Sequence, residues 1–127
     1  MVDGYLFPKP LVEIFEAGEQ AQVPLLAGWN SAEIPGVAFM QGKPFDTENF
    51  VANVNARFGE FAPDILKTYA HETAKDVVLS ATALASDQFI SFSTWKWIDL
   101  HAQNSSQPIY RYLFSHIRTL TNEQVSK

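Results

Sequence analysis

No cysteine occurs among the 127 residues, which excludes disulfides, thiolate nucleophiles and every cysteine-ligated metal centre while leaving the redox compartment open. Glycine is scarce too. The six glycines stand at positions 4, 18, 28, 36, 42 and 59, nowhere clustered, so the chain carries no phosphate-cradling loop. Only 18% of residues are charged, and nine Lys plus Arg against fourteen Asp plus Glu give a net charge of −5. That sign is wrong for a phosphate backbone, and the basic residues form no run, which argues against nucleic acid as a partner. Apolar runs last only a few residues, so neither a membrane span nor a signal peptide is expected within the chain.

What the chain has in quantity is apolar and aromatic surface. Hydrophobic residues reach 46%, with ten Phe, four Tyr and three Trp, enough for a packed interior and inconsistent with disorder. The length suits one core rather than two.

Periodicity divides the chain into short elements. Pro10 opens a helical pattern with apolar Leu11, Ile14 and Phe15 and a stop at Gly18. Val23 to Trp29 reads as a strand buried on both faces, with Pro24 tolerable only at its start, and Asn30 to Gly36 reads as a loop. From Asp46, Phe50, Val51, Val54 and Phe58 share a helical face that Gly59 terminates. Pro63 suits the first turn of a short helix holding Ile65, Leu66 and Tyr69. Thr73-Ala74-Lys75-Asp76 has the form of a capping box ahead of Val77, Val78, Ala81, Leu84 and Ala85 on one side. Ser86 or Asp87 can cap a further helix to about Gln103, whose wide apolar arc places Phe92 among the expected core residues. A turn follows, then a second strand from Ile109 to Ser115, while residues 117–127 read as a poorly ordered tail.

Two strands about eighty residues apart, joined by mostly helical sequence, are expected to be parallel. The fold class is therefore α/β, with two mainly parallel strands, several helices and an incomplete sheet. Such a sheet needs neighbours, from a larger protein or from self-association of the chain.

None of the nine serines has glycines two positions away on both sides, so the nucleophile elbow of Gly-x-Ser-x-Gly type is missing. His71, His101 and His116 fall in different elements without metal-ligand spacing, and no metal is expected. Trp95 and Trp97 read as core or interface packing. Glu33 stands apart: a carboxylate just past the carboxyl end of a strand occupies the place where open α/β sheets carry functional side chains.

Several stations together resemble the carboxyl-terminal part of type-B carboxylesterases, the α/β-hydrolase family that includes cholinesterases and para-nitrobenzyl esterases. They are Asp3-Gly4-Tyr5-Leu6-Phe7-Pro8, Val23 to Glu33, Ala85-Ser86-Asp87-Gln88-Phe89-Ile90 and Pro108 to His116, in the family's order. The resemblance implies that residues 1–127 are a C-terminal fragment of such a domain, a partial α/β-hydrolase fold. It makes Glu33 the acid of a catalytic triad, with Asn30 and Ser31 in the turn leading to it, Tyr5 in a segment near the site, and Asp87 a structural residue that holds nearby loops. Where the family commonly has Gly directly after the acid, this chain has Ile34-Pro35 before Gly36, which implies a different path for the loop.

The resemblance also implies that the serine nucleophile and oxyanion loop precede Met1 and that the catalytic histidine lies beyond the chain, His116 not being that residue. The complete enzyme would cleave a small-molecule carboxylic ester through an acyl-serine, with no cofactor. The parent's compartment is open, periplasm and secretion included. The alternative is a non-catalytic α/β-hydrolase-like interaction module. By itself, the chain should hydrolyse short-chain aryl esters at the buffer rate. Hydrolysis above that rate, surviving purification and abolished by Glu33→Gln, would reveal a nucleophile within it.

Overall fold

In the computed structural model, which describes residues 2–115, the elements run α1 (Leu11–Glu16), β1 (Leu25–Asn30), α2 (Gly36–Met40), α3 (Thr47–Phe58), a 3-10 turn (Gly59–Phe61), α4 (Ala62–Thr68), α5 (Ala74–Ser86), a π-turn (Asp87–Ser91), α6 (Phe92–Gln103) and β2 (Ile109–Phe114). Short polar side chains set where the helices begin. Asp46 Oδ1 accepts from Asn49 N at 2.8 Å at the head of α3. Thr73 and Asp76 close the reciprocal capping box of α5, Asp76 N donating to Thr73 Oγ1 at 3.1 Å and Thr73 N to Asp76 Oδ2 at 3.0 Å. Gly59 ends α3 at a φ of 52°, a conformation side chains disfavour.

β1 and β2 pair in parallel with Leu25 opposite Ile109 through to Asn30 opposite Phe114, a two-stranded sheet among the described residues. The result is a small mixed α/β domain with several helices and a sheet that is not closed. α6 lies against the sheet, and α1 lies against α6. The core sits apart from the strands, where α2, α3, α4 and α5 meet: Phe39, Met40, Phe50, Val54, Ala62, Val77, Ala81 and Leu84 are buried there.

Several expectations change. Residues 36–40 form α2, which delivers Phe39 and Met40 to the core; a five-residue helix is too short to show a period. β1 begins at Leu25 and includes Asn30, leaving Pro24 outside the ladder it cannot donate to. The strands are not buried on both faces: Leu26 is 70% exposed, and Tyr110 and Leu113 are exposed as well, because among the described residues the two-stranded sheet is covered only by α6 and the π-turn. No cap separates α5 from the next helix. Ser86 has helical φ and ψ, and the chain runs through the π-turn directly into α6. Phe92 lies on the outer side of that rod at 64% exposure and is not a core residue. Trp95 and Trp97 are also exposed, Trp97 packing edge-on against Phe15 at 6.4 Å. The tail expected at residues 117–127 lies outside the described residues.

Phe50 is fully buried, with its ring 5.5 Å from Phe39 and 5.8 Å from His71. Phe50→Ala should therefore cost about 3–5 kcal/mol, whereas Phe92→Ala should stay below about 1 kcal/mol in the isolated chain. Denaturant melts of the two variants test this placement of the core.

Candidate functional site

The site begins where β1 runs out. Ser31 N donates to Phe114 O at 2.9 Å, extending the strand ladder by one bond, and the chain then turns. Glu33 folds its carboxylate back across that turn, and Oε1 accepts from Asn30 N at 2.8 Å. Oε2 receives no hydrogen bond from the described residues. The side chain is half-buried rather than freely solvated.

The backbone of the loop is held from behind by α5. Glu33 N and Ile34 N both donate to Ser86 Oγ, at 3.0 and 3.1 Å, and Gly36 N donates to Thr82 Oγ1 at 3.1 Å. Pro35 has no N–H, so every amide from 33 to 36 ends on one of two hydroxyls one helical turn apart. Each hydroxyl spends its proton on its own helix: Ser86 Oγ donates to Thr82 O at 2.8 Å and Thr82 Oγ1 to Val78 O at 2.9 Å. Close approach is required. A Cβ on Gly36 would lie 2.9 Å from both Thr82 N and Thr82 Oγ1, so only glycine lets the loop settle on this helix. Ile34, next to the acid, packs against the core.

Asp87 follows Ser86 and takes a hydrogen bond from Tyr69 OH at 2.5 Å, tying the end of α4 to the π-turn. Burial, then the bond to Asp87 and its charge, push the Tyr69 phenol well above its ordinary value. Trp29, Tyr69, Asp87, Ser91, Phe92 and Trp95 line a recess of about 290 Å³ near the end of β1.

Asn30 and Ser31 are thus brought to Glu33 as backbone partners and turn residues, and Asp87 to the anchoring serine. Tyr5 is not brought there: it is 95% exposed, in a turn organised by Asp3, whose Oδ1 accepts from Tyr5 N at 3.0 Å and Phe7 N at 2.9 Å. Those backbone bonds hold the Asp3 carboxyl below its usual range. His71 Nδ1 is engaged by Tyr69 O at 2.8 Å, and buried His101 donates from Nε2 to Val23 O at 3.1 Å. Neither imidazole is bonded to Glu33, and His116 lies outside the described residues. Among the described residues no group of three or more histidines and acids could hold a metal ion, and no helix is long and apolar enough to cross a membrane.

Chemically, the arrangement presents a carboxylate with one oxygen pinned and a rigid backbone beneath it, able to orient and charge-stabilise a hydrogen-bond donor placed at the other oxygen. Sequence reasoning misses Thr82 and gives Ser86 only a capping role. Their signal is a pair of hydroxyl residues at i, i+4 within a run of alanines, which reads equally as exposed helix. These features define an α/β domain with an open parallel sheet and an acid at its carboxyl edge. No protein-family model matches the chain, and neither does any curated protein or solved structure.

The Tyr69–Asp87 bond has a measurable pH signature. Because the folded state raises the phenol above its unfolded value, the stabilisation is complete below about pH 10 and is lost as pH rises beyond it. Tyr69→Phe should cost about 1–3 kcal/mol at pH 7, with the difference from wild type narrowing at alkaline pH. Urea melts at neutral and alkaline pH follow it.

Proposed function

We propose that the chain is a C-terminal portion of a serine carboxylic-ester hydrolase of the type-B carboxylesterase family, and that Glu33 is its triad acid. The observation that carries this reading is the carboxylate at the carboxyl end of β1, with Oε1 fixed by Asn30 N and Oε2 free of donors among the described residues. A triad acid needs that division. One oxygen is immobilised so that the other can hold the imidazole Nδ1–H and stabilise the imidazolium that forms when the serine is deprotonated. The open parallel sheet supports the same reading, since an α/β-hydrolase sheet would supply strands from segments outside this chain. The exposed side chains of Leu26, Tyr110, Leu113 and Phe92 are then the surface those segments cover, and in their absence the surface on which isolated chains associate. Acyl transfer itself, with a serine nucleophile and backbone oxyanion donors, belongs to those outside segments.

The test is a polypeptide in which this chain is flanked by both its upstream and its downstream coding sequence, so that the elbow serine and the catalytic histidine are both present. It should hydrolyse short-chain aryl esters, and Glu33→Gln should lower kcat by about 10²–10⁴-fold with KM little changed. Unchanged turnover in Glu33→Gln would remove the assignment. A polypeptide that folds but has no elbow serine would shift the reading to a non-catalytic interaction module.

A further inference from the structure

We propose that Ser86 is the positioning residue of Glu33, its buried hydroxyl setting where the carboxylate stands; the catalytic meaning of that position rests on the triad reading above. A hydroxyl has one proton and two lone pairs. In Ser86 the proton is committed to Thr82 O at 2.8 Å, one turn back in α5, which turns the lone pairs toward the loop. They receive two successive amides, Glu33 N at 3.0 Å and Ile34 N at 3.1 Å. Two donors meeting at one oxygen fix the orientation of the peptide unit between them, and that unit carries the Glu33 Cα. From there the side chain has to reach only Asn30 N, closing a ring from helix to loop to strand end.

Ser86 is suited to this work by its surroundings. It is 2% exposed, so water does not compete for its lone pairs. Its backbone carbonyl is also engaged, accepting from Ser91 Oγ at 3.2 Å, which joins it to the π-turn. Thr82 makes the equivalent contact one turn away but holds only Gly36, beyond Pro35. The two hydroxyls therefore divide the work: Thr82 seats the start of α2, and Ser86 seats the acid. No other described side chain bonds to the backbone of Glu33.

Amide hydrogen exchange and proton shifts on the 127-residue chain test this directly. In the wild type, the Glu33 and Ile34 amides should exchange at least about tenfold more slowly than exposed loop amides. The Asn30 amide proton should lie downfield because of its carboxylate partner, and Glu33→Ala should move it upfield. Ser86→Ala should release the Glu33 and Ile34 amides by about tenfold or more and reproduce at least half of the Asn30 shift seen in Glu33→Ala. Thr82→Ala should release Gly36 and leave Asn30 in place. An Asn30 shift unaltered by Ser86→Ala in a folded chain would overturn the inference. If Ser86→Ala does not fold, unprotected Glu33 and Ile34 amides in the wild type would overturn it equally, and protected ones together with an undisturbed Asn30 in Thr82→Ala would sustain it. These readouts are independent of ester turnover, so unchanged kcat in Glu33→Gln removes the triad reading alone, while an unmoved Asn30 removes the clamp alone.

Discussion

The core depends on the close packing of α2 on α5, where Gly36 rests directly on Thr82. Small residues on α5 permit it: Ala81 and Ala85 present little bulk, and Ser80, Thr82 and Ser86 present hydroxyls that satisfy backbone instead of demanding space. Once α2 is seated, Phe39 and Met40 enter the core against Phe50 and Val54, and Ile34 is drawn in beside them. The loop between β1 and α2 is then held over residues 33–36, whose amides end on α5. A carboxylate at the end of β1 is placed by helix packing more than by the sheet.

The halves of the domain differ in how completely they are covered. The helical half encloses a buried apolar cluster around Phe39, Met40, Phe50 and Val54, with polar groups paired at its edge; Lys43 Nζ, for instance, donates to buried Asn53 at 2.9 Å, and Asn53 in turn donates to Phe39 O at 3.3 Å. The sheet half leaves apolar side chains of β1, β2 and the π-turn in solvent. A groove of about 450 Å³ between α1 and α6, walled by Leu11, Phe15, Trp97 and Leu100, belongs to the same uncovered side. Parallel strands are stable when covered on both faces, so this asymmetry is the physical content of the proposal that further segments complete the fold. The π-turn lies on the border. Its extra backbone residue keeps α5 and α6 continuous, with Ser86 facing the core and Phe89 and Phe92 facing out.

Local chemistry was legible in the residues themselves. Asp46, the Thr73–Asp76 capping box, the Gly59 stop and the parallel relation of the two strands follow from caps, a left-handed glycine and the length of the crossover, all interactions among near neighbours or simple chain geometry. Glu33 could be singled out because its place after a strand is a matter of sequence order. What neighbours in sequence cannot show is which faces find a partner. The apolar arc of α6 reads the same whether Phe92 is covered or bare, and only the packing decides that it is bare. Likewise Ser86 and Ile34 are 52 positions apart, and their hydrogen bond exists only because α2 packs on α5. Apart from α2 and the π-turn, the sequence by itself determined the elements, their order and the acid at the strand end, because those depend on short-range propensity and connectivity. The tertiary structure alone decided that the acid's loop hangs from two hydroxyls of a distant helix, because a hydroxyl's choice between its own helix and a foreign amide is made by whatever backbone is brought within 3 Å of it.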